Sequence, residues 1–383
     1  MAGWLFYGAL FKFAPAQDFL VFYTAARAYL DGHLALVFDG DALTAQINAW
    51  FGSWFSRPLD FHPWVYPPLF LLLLIPLGFF PFVVACALFL GVTFLLLNLA
   101  LRCYAPRRYQ RWIYAASLVL SPTAAFTVAV GQNSFLTAAL LVGGLGLITR
   151  APLLAGALLG LLACKPQLWL MVPVALFAAR EWKVLASSIA TVCLFALASL
   201  AVFGMEPWRQ WLALMLGPSP AYQHWLQFGR LNGQSIYADA VLLGVPAGMA
   251  DVLQDIVSLA CAFVVWWCFR AGKMRRDLKL VVFLTTTILA APHVSNYDAV
   301  MVTVAVSVFL CRVLEDGFRF GEAILIIVVW NIELLNPPQM IRLGLFTPLV
   351  LCLFLAAVIA RGRTVRMVSR ALEPMPEFAG AGG

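Results

Sequence analysis

Residues 66–81 read YPPLFLLLLIPLGFFP, an apolar run of about 12 residues closed by proline at both ends and interrupted by Pro76. A helix needs roughly 20 residues to cross a bilayer, and an internal proline removes a backbone donor and bends what helix there is. The run therefore reads as a re-entrant or interfacial segment that returns to the side it left. That reading sets the side of every later loop. With residues 66–80 not crossing, membrane spans are expected near 81–101, 112–130, 134–149, 152–163, 166–180, 184–204, 250–270, 280–291, 297–312, 322–336 and 343–361. A first helix over Gly3–Phe13 brings the total to about twelve.

The basic residues test this topology, because cytoplasmic loops carry an excess of Lys and Arg. Alternate loops then hold 18 of the 25 Lys and Arg residues, among them Arg102, Arg107, Arg108, Arg111, Arg150, Lys183 and Arg275. If 66–80 crossed, the strongly basic 102–111 loop would change sides. The composition agrees: 63% of residues are hydrophobic and 11% charged, and the mean hydropathy is +0.90. A soluble globular domain is excluded. Long unbroken apolar runs fit helices and not alternating barrel strands, so the fold class is an all-α polytopic membrane protein. The formal charge of +7 is accounted for by basic loops and implies no nucleic-acid partner. Eight cysteines stand singly without a CxxC pair and read as small packing residues, with no metal site or disulfide framework.

One integral membrane domain is expected over 1–383, with an outer loop at 14–80 that contains the re-entrant segment, a Trp- and Tyr-rich outer loop at 205–249, and a tail from 362. Ala14-Pro15-Ala16 looks like a cleavage site, but no basic region precedes it and Lys12 interrupts its apolar core. An uncleaved, short first helix is the reading.

Sorted by side, the unusual polar residues gather on the outer face: Asp18, Tyr66, Gly131-Gln132-Asn133, Lys165-Pro166-Gln167, Gln234-Ser235 and the segment Pro292–Asp298. Ionisable groups at membrane depth are costly and usually serve a function. Asp18 opens the amphipathic run QDFLVFYTAARAYLDG at 17–32 and is open to two readings, a helix N-cap and a catalytic base. Lys165, between two apolar runs with no acid beside it in the chain, reads as a snorkelling anchor or as a cation facing a phosphate. His293 and Asp298 flank a polar break. They form either an ordinary turn or a histidine that donates to phosphate oxygens and an aspartate that orients a nearby cation or hydroxyl. Gln132, Asn133, Gln167, Gln234 and Asn296 are amides suited to sugar hydroxyls, and Tyr23, Tyr66 and Tyr297 complete the candidate substrate-binding set. No Walker loop, GxGxxG before a strand, HExxH or GxSxG occurs.

The order of these motifs resembles glycosyltransferase family 87, the polytopic polyprenyl-phosphate-mannose-dependent mannosyltransferases of the GT-C superfamily. The likeness lies in D-F-x-x-F-Y-x-A-A at 18–26, Y-P-P at 66–68, G-Q-N at 131–133, K-P-Q at 165–167 and P-H-x-x-x-Y-D at 292–298. It implies a GT-C-like bundle and a polyprenyl-phosphate sugar donor used on the non-cytoplasmic face of a bacterial inner membrane, with both termini cytoplasmic. The acceptor would be a lipid or glycan. The family's catalytic aspartate corresponds to Asp18 and its phosphate-interacting histidine to His293; Lys165 and Gln132 match less closely.

Chemistry supports the same roles. Glycosyl transfer needs one carboxylate to deprotonate the acceptor, and positive charge or hydrogen-bond donors on the departing phosphate. A single displacement with Asp18 as base inverts the anomeric centre. No metal or other cofactor is called for. The competing reading is a secondary transporter or lipid-linked sugar flippase. The absence of an inverted repeat and the gathering of polar residues on one face weigh against it.

Overall fold

The computed structural model describes residues 16–55, 57–217, 219–231, 233–270, 274–332 and 347–371. The expected first helix at Gly3–Phe13 and the end of the tail lie outside them. Among the described residues the fold is entirely helical, without a strand.

The segment before Phe82 is itself folded. Helix α1, Gln17–Leu30, lies at its centre, and α2, Gly40–Phe51, starts where Asp39 accepts from the amides of Asp41 and Ala42. Helix α3, Pro68–Leu74, continues into a tighter turn at Ile75–Phe79. Both ends of this segment rest near α1. The ring of Tyr66 packs on Phe22, while the Tyr23 hydroxyl donates to the Phe80 carbonyl at 3.0 Å and Arg27 donates to the Gly78 carbonyl. Residues 66–80 thus pack along α1, where Pro76 shortens the helix and the aromatic face of α1 holds both of its ends. Phe22 is gripped edge-on by Trp64, Tyr66, Phe70 and Phe89.

Helix α4, Phe82–Leu101, begins beside α1, where Phe82 meets Phe19 and Tyr23, and runs to the opposite end of the bundle. There the chain turns into α5, Arg108–Leu120, and comes back through α6, Pro122–Val130. The segment expected as one span over 112–130 is bent by 56°. Pro122 cannot donate at the junction, and Ser121 caps α6 by accepting from the Ala124 amide. Helices α7 (Ser134–Leu147), α8 (Pro152–Leu161), α9 (Met171–Ala179) and α10 (Trp182–Phe203) then alternate in direction. Gly156 and Gly160 bring α8 onto α10, since a Cβ at either would meet a carbonyl oxygen of α10 at 2.4 or 2.6 Å.

The 205–249 segment forms three helices, α11 (Glu206–Leu216), α12 (Pro220–Leu231) and α13 (Ile236–Leu242). The bundle finishes with α14 (Ala247–Arg270), α15 (Arg276–Ala290), α16 (Val300–Asp316), α17 (Glu322–Trp330) and α18 (Thr347–Ala371).

Every expected span inside the described residues folds as helix, but lengths change the count. Among the described residues four helices are long and apolar enough to cross a membrane, five if the bent α5–α6 pair is one span. The expected bundle of about twelve spans is thus matched in its helical class but not in the length of most of its helices. The reason is visible in the chain: polar breaks at 131–133, 164–167 and 291–296 cut the apolar sequence into helices of about 10–15 residues, or about 15–22 Å, against a hydrocarbon thickness of about 30 Å. The helix containing residues 296–316 is central, with 83% of its apolar window buried, whereas Trp182–Phe203 has 17% buried and turns Leu194 and Leu197 outward.

At the end of the bundle away from α1, charges tie the helices together. Arg312 of α16 donates to Asp277 of α15 at 2.6 and 2.9 Å. Arg361 of α18 holds Glu322 of α17 through Nε at 2.9 Å and a second nitrogen at 2.5 Å.

Candidate functional site

The breaks that shorten the helices meet at one place. Ala16 starts α1 in a left-handed conformation and donates its amide to the Ala129 carbonyl of α6. Gly131 ends α6 with φ +73°, and a Cβ there would lie 2.5 Å from Cβ of Phe19. Only glycine permits both the turn and this approach. Asp18 is thereby set against Gln132.

Asp18 is not the N-cap; Ala16 holds that position without a side-chain bond, so the Asp18 carboxylate is free for tertiary contacts. Gln132 donates to its Oδ2 at 2.8 Å. The Gln132 carbonyl accepts from the Tyr66 hydroxyl at 2.9 Å and from the Asn133 amide at 2.8 Å, which turns the amide nitrogen toward Asp18. Burial lifts the Tyr66 phenol well above its ordinary pKa, so Tyr66 stays a donor. His62 Nε2 lies 3.6 Å from Asp18 Oδ1 and 3.4 Å from the Gln17 amide nitrogen.

A second cluster faces the same cavity. Lys165, buried, reaches Asp298 Oδ1 at 2.6 Å and Asn133 Oδ1 at 3.5 Å, and its ammonium lies 4.9 Å from the centre of the Tyr297 ring. The geometry is that of a buried ion pair and not of a snorkelling anchor, and it leaves Lys165 lining the cavity. Asp298 also accepts from the Ser295 amide. His293 stands beside them. Burial chiefly pushes its pKa down, the Lys165 and Arg230 charges add to that, and the Asp298 carboxylate opposes it. Its Nδ1 is buried and has no hydrogen-bond partner among the described residues.

The cavity between the clusters has a volume of about 230 Å³. Eight of the twelve candidate residues line it: Asp18, Tyr66, Gln132, Lys165, Gln167, His293, Tyr297 and Asp298. Four do not. Tyr23 is turned toward Phe80, Asn133 stands behind Lys165, Gln234 bonds through its backbone to the Val294 carbonyl, and Asn296 is buried in the turn that carries Asp298.

Sequence reasoning left out His62, Trp211, Met215 and Trp225, all of which line the cavity. Trp211 is fastened across it by donating to the Val65 carbonyl at 3.1 Å. The aromatic richness of 205–249 was their signal; His62 had none, being one polar residue in a polar loop. Among the described residues no group of three or more His, Cys, Asp or Glu converges as a metal site.

No curated protein and no solved structure matches the chain. The sequence model of glycosyltransferase family 87 matches residues 64–292, a stretch that holds Tyr66, Gln132, Lys165 and the aromatic helices α11 and α12. The protein, all-helical and carrying several membrane-length apolar helices, belongs to glycosyltransferase family 87.

Proposed function

We propose that this membrane glycosyltransferase moves a single hexose, mannose by family likeness, from a polyprenyl-phosphate donor to a lipid or glycan acceptor. The reaction takes place on the non-cytoplasmic face of a bacterial inner membrane, with both termini cytoplasmic. The observation that carries the reading is one cavity with the Asp18 carboxylate on one wall and, on another, His293 and the Lys165–Asp298 pair. Its volume of about 230 Å³ lies below the roughly 300–1,000 Å³ of pockets that enclose drug-sized ligands, which suits one sugar better than an oligosaccharide.

In this mechanism Asp18 accepts the acceptor hydroxyl proton while that oxygen bonds to the anomeric carbon. The carbon–oxygen bond to phosphate breaks, and its electron pair leaves with the phosphate. The configuration inverts. Gln132 keeps the carboxylate aimed and supplies a hydrogen bond that favours its charged form. His293 donates to the departing phosphate, and the Lys165–Asp298 pair presents the remaining ammonium hydrogens. The outer amide Gln167 meets sugar hydroxyls.

The test is transfer of radiolabelled mannose from polyprenyl-phosphate-mannose to a membrane glycolipid extract by purified protein in nanodiscs, beside Asp18→Asn. Label in a new glycolipid with wild type alone supports donor and base together. Transfer from a different polyprenyl-phosphate sugar replaces the mannose assignment, and silence with every lipid-linked donor overturns the reading.

A further inference from the structure

At the end of the bundle away from Asp18, a second cavity of about 480 Å³ opens between α4 and α5. Arg102, Arg108, Arg111, Asn98, Trp112 and Tyr114 line it. The 20 residues of α4 put it about 30 Å from the Asp18 site at 1.5 Å per residue, one hydrocarbon thickness away.

Three guanidiniums face this space and no carboxylate lines it. Glu315, which reaches α5 from α16, is engaged elsewhere: it accepts from Tyr109 at 2.9 Å and Gln110 at 3.0 Å, and pairs with Arg107 and Arg312. Among the described residues none of Arg102, Arg108 and Arg111 has an ion-pair partner. Arg111 is positioned by a bond from Nε to the Ala105 carbonyl, which leaves its terminal nitrogens as donors. Unneutralised, clustered arginines are a geometry for binding phosphate oxygens.

The walls identify the source of that phosphate. On α4 the side chains of Leu95 and Leu99 are exposed, and on α5 those of Val119 and Leu120. Apolar surface thus descends from both sides of the cavity, as acyl chains beneath a headgroup require. Trp112, 65% exposed, stands at the rim where interfacial tryptophans sit.

We infer that the α4–α5 cavity is a binding site for the phosphate headgroup of an anionic membrane lipid, separate from the transfer site and on the other membrane face. Basic pockets between membrane helices take such headgroups.

The experiment uses the full-length protein in nanodiscs, with lipid retention read by native mass spectrometry in phosphatidylglycerol and in phosphatidylcholine. Wild type should retain phosphatidylglycerol selectively, and the triple variant Arg102→Gln/Arg108→Gln/Arg111→Gln should lose about tenfold or more of that affinity, by analogy with juxtamembrane basic clusters. A charge-matched control, Arg150→Gln/Arg180→Gln/Lys183→Gln, should retain it. Equal losses in the two triple variants mean bulk surface charge and overturn the site, as does no loss in either. Displacement of the lipid by millimolar inorganic phosphate assigns the pocket to a free anion and overturns the lipid source. Should the triple variant melt early, Arg108→Glu, at an exposed position, must show the same selective loss.

Discussion

Lys165 Nζ lies 2.6 Å from Asp298 Oδ1, across 133 positions of sequence. Their side chains are 5% and 2% exposed, so each charge depends on the other. Removing one partner of a buried pair typically costs about 3–5 kcal/mol, because the other is left uncompensated. Lys165→Met and Asp298→Leu should each destabilise the protein by that order in thermal melts. The double variant should recover most of the stability and none of the transfer activity. Full activity in the double variant would remove the pair from the proposed mechanism.

Asp18→Asn keeps side-chain volume while abolishing the base. Transfer should fall by about 10²–10⁴-fold, the usual contribution of a general base, with little change in donor affinity or melting temperature. Single-turnover rates and donor titration separate the two effects. Near wild-type turnover would discard Asp18 as base.

His293 supplies a pH dependence. Its pKa is lowered in the folded protein, so the unfolded state binds more protons as pH falls through the ordinary histidine value near 6.5. The stability this group contributes is present above that pH and declines below it. A phosphate ligand acts in the opposite direction by raising the His293 pKa, so donor binding should take up a proton. Calorimetry in buffers of different ionisation enthalpy should show uptake in wild type and none in His293→Gln. Identical proton release or uptake in both would place the linked group elsewhere.

Gly131→Ala puts a Cβ 2.5 Å from Cβ of Phe19 at φ +73°. Overpacking costs about 1–3 kcal/mol, and the left-handed backbone adds about 1–2 kcal/mol for a residue with a side chain. Since the displaced element is the first turn of α1, kcat should drop together with stability. Unchanged kcat in protein that melts earlier would mean that the turn supports the fold without setting Asp18.

The helices were readable because proline, glycine and polar triplets punctuate apolar runs, and Gly131-Gln132-Asn133 and Lys165-Pro166-Gln167 mark helix ends in the chain itself. Convergence of Asp18, Gln132 and Lys165 followed from sorting polar residues by side. Pairing did not. Lys165 has no acid nearby in sequence, and only the direction in which α15 returns brings Asp298 to it. His62 was equally hidden, since its approach to Asp18 depends on how the 52–67 segment folds back, where its backbone amide donates to the Thr44 hydroxyl. The number of crossings was not legible, because a periodic apolar run announces a helix without announcing that a polar break will end it at half thickness.

Arg361 and Glu322 are 1% and 3% exposed and bound to each other. Each charge is compensated only while α17 and α18 lie side by side, and a buried ion left alone is strongly destabilising. A slip of α18 along α17 by one turn, about 5.4 Å, would part the two charges, so the pair holds the helices to a single register.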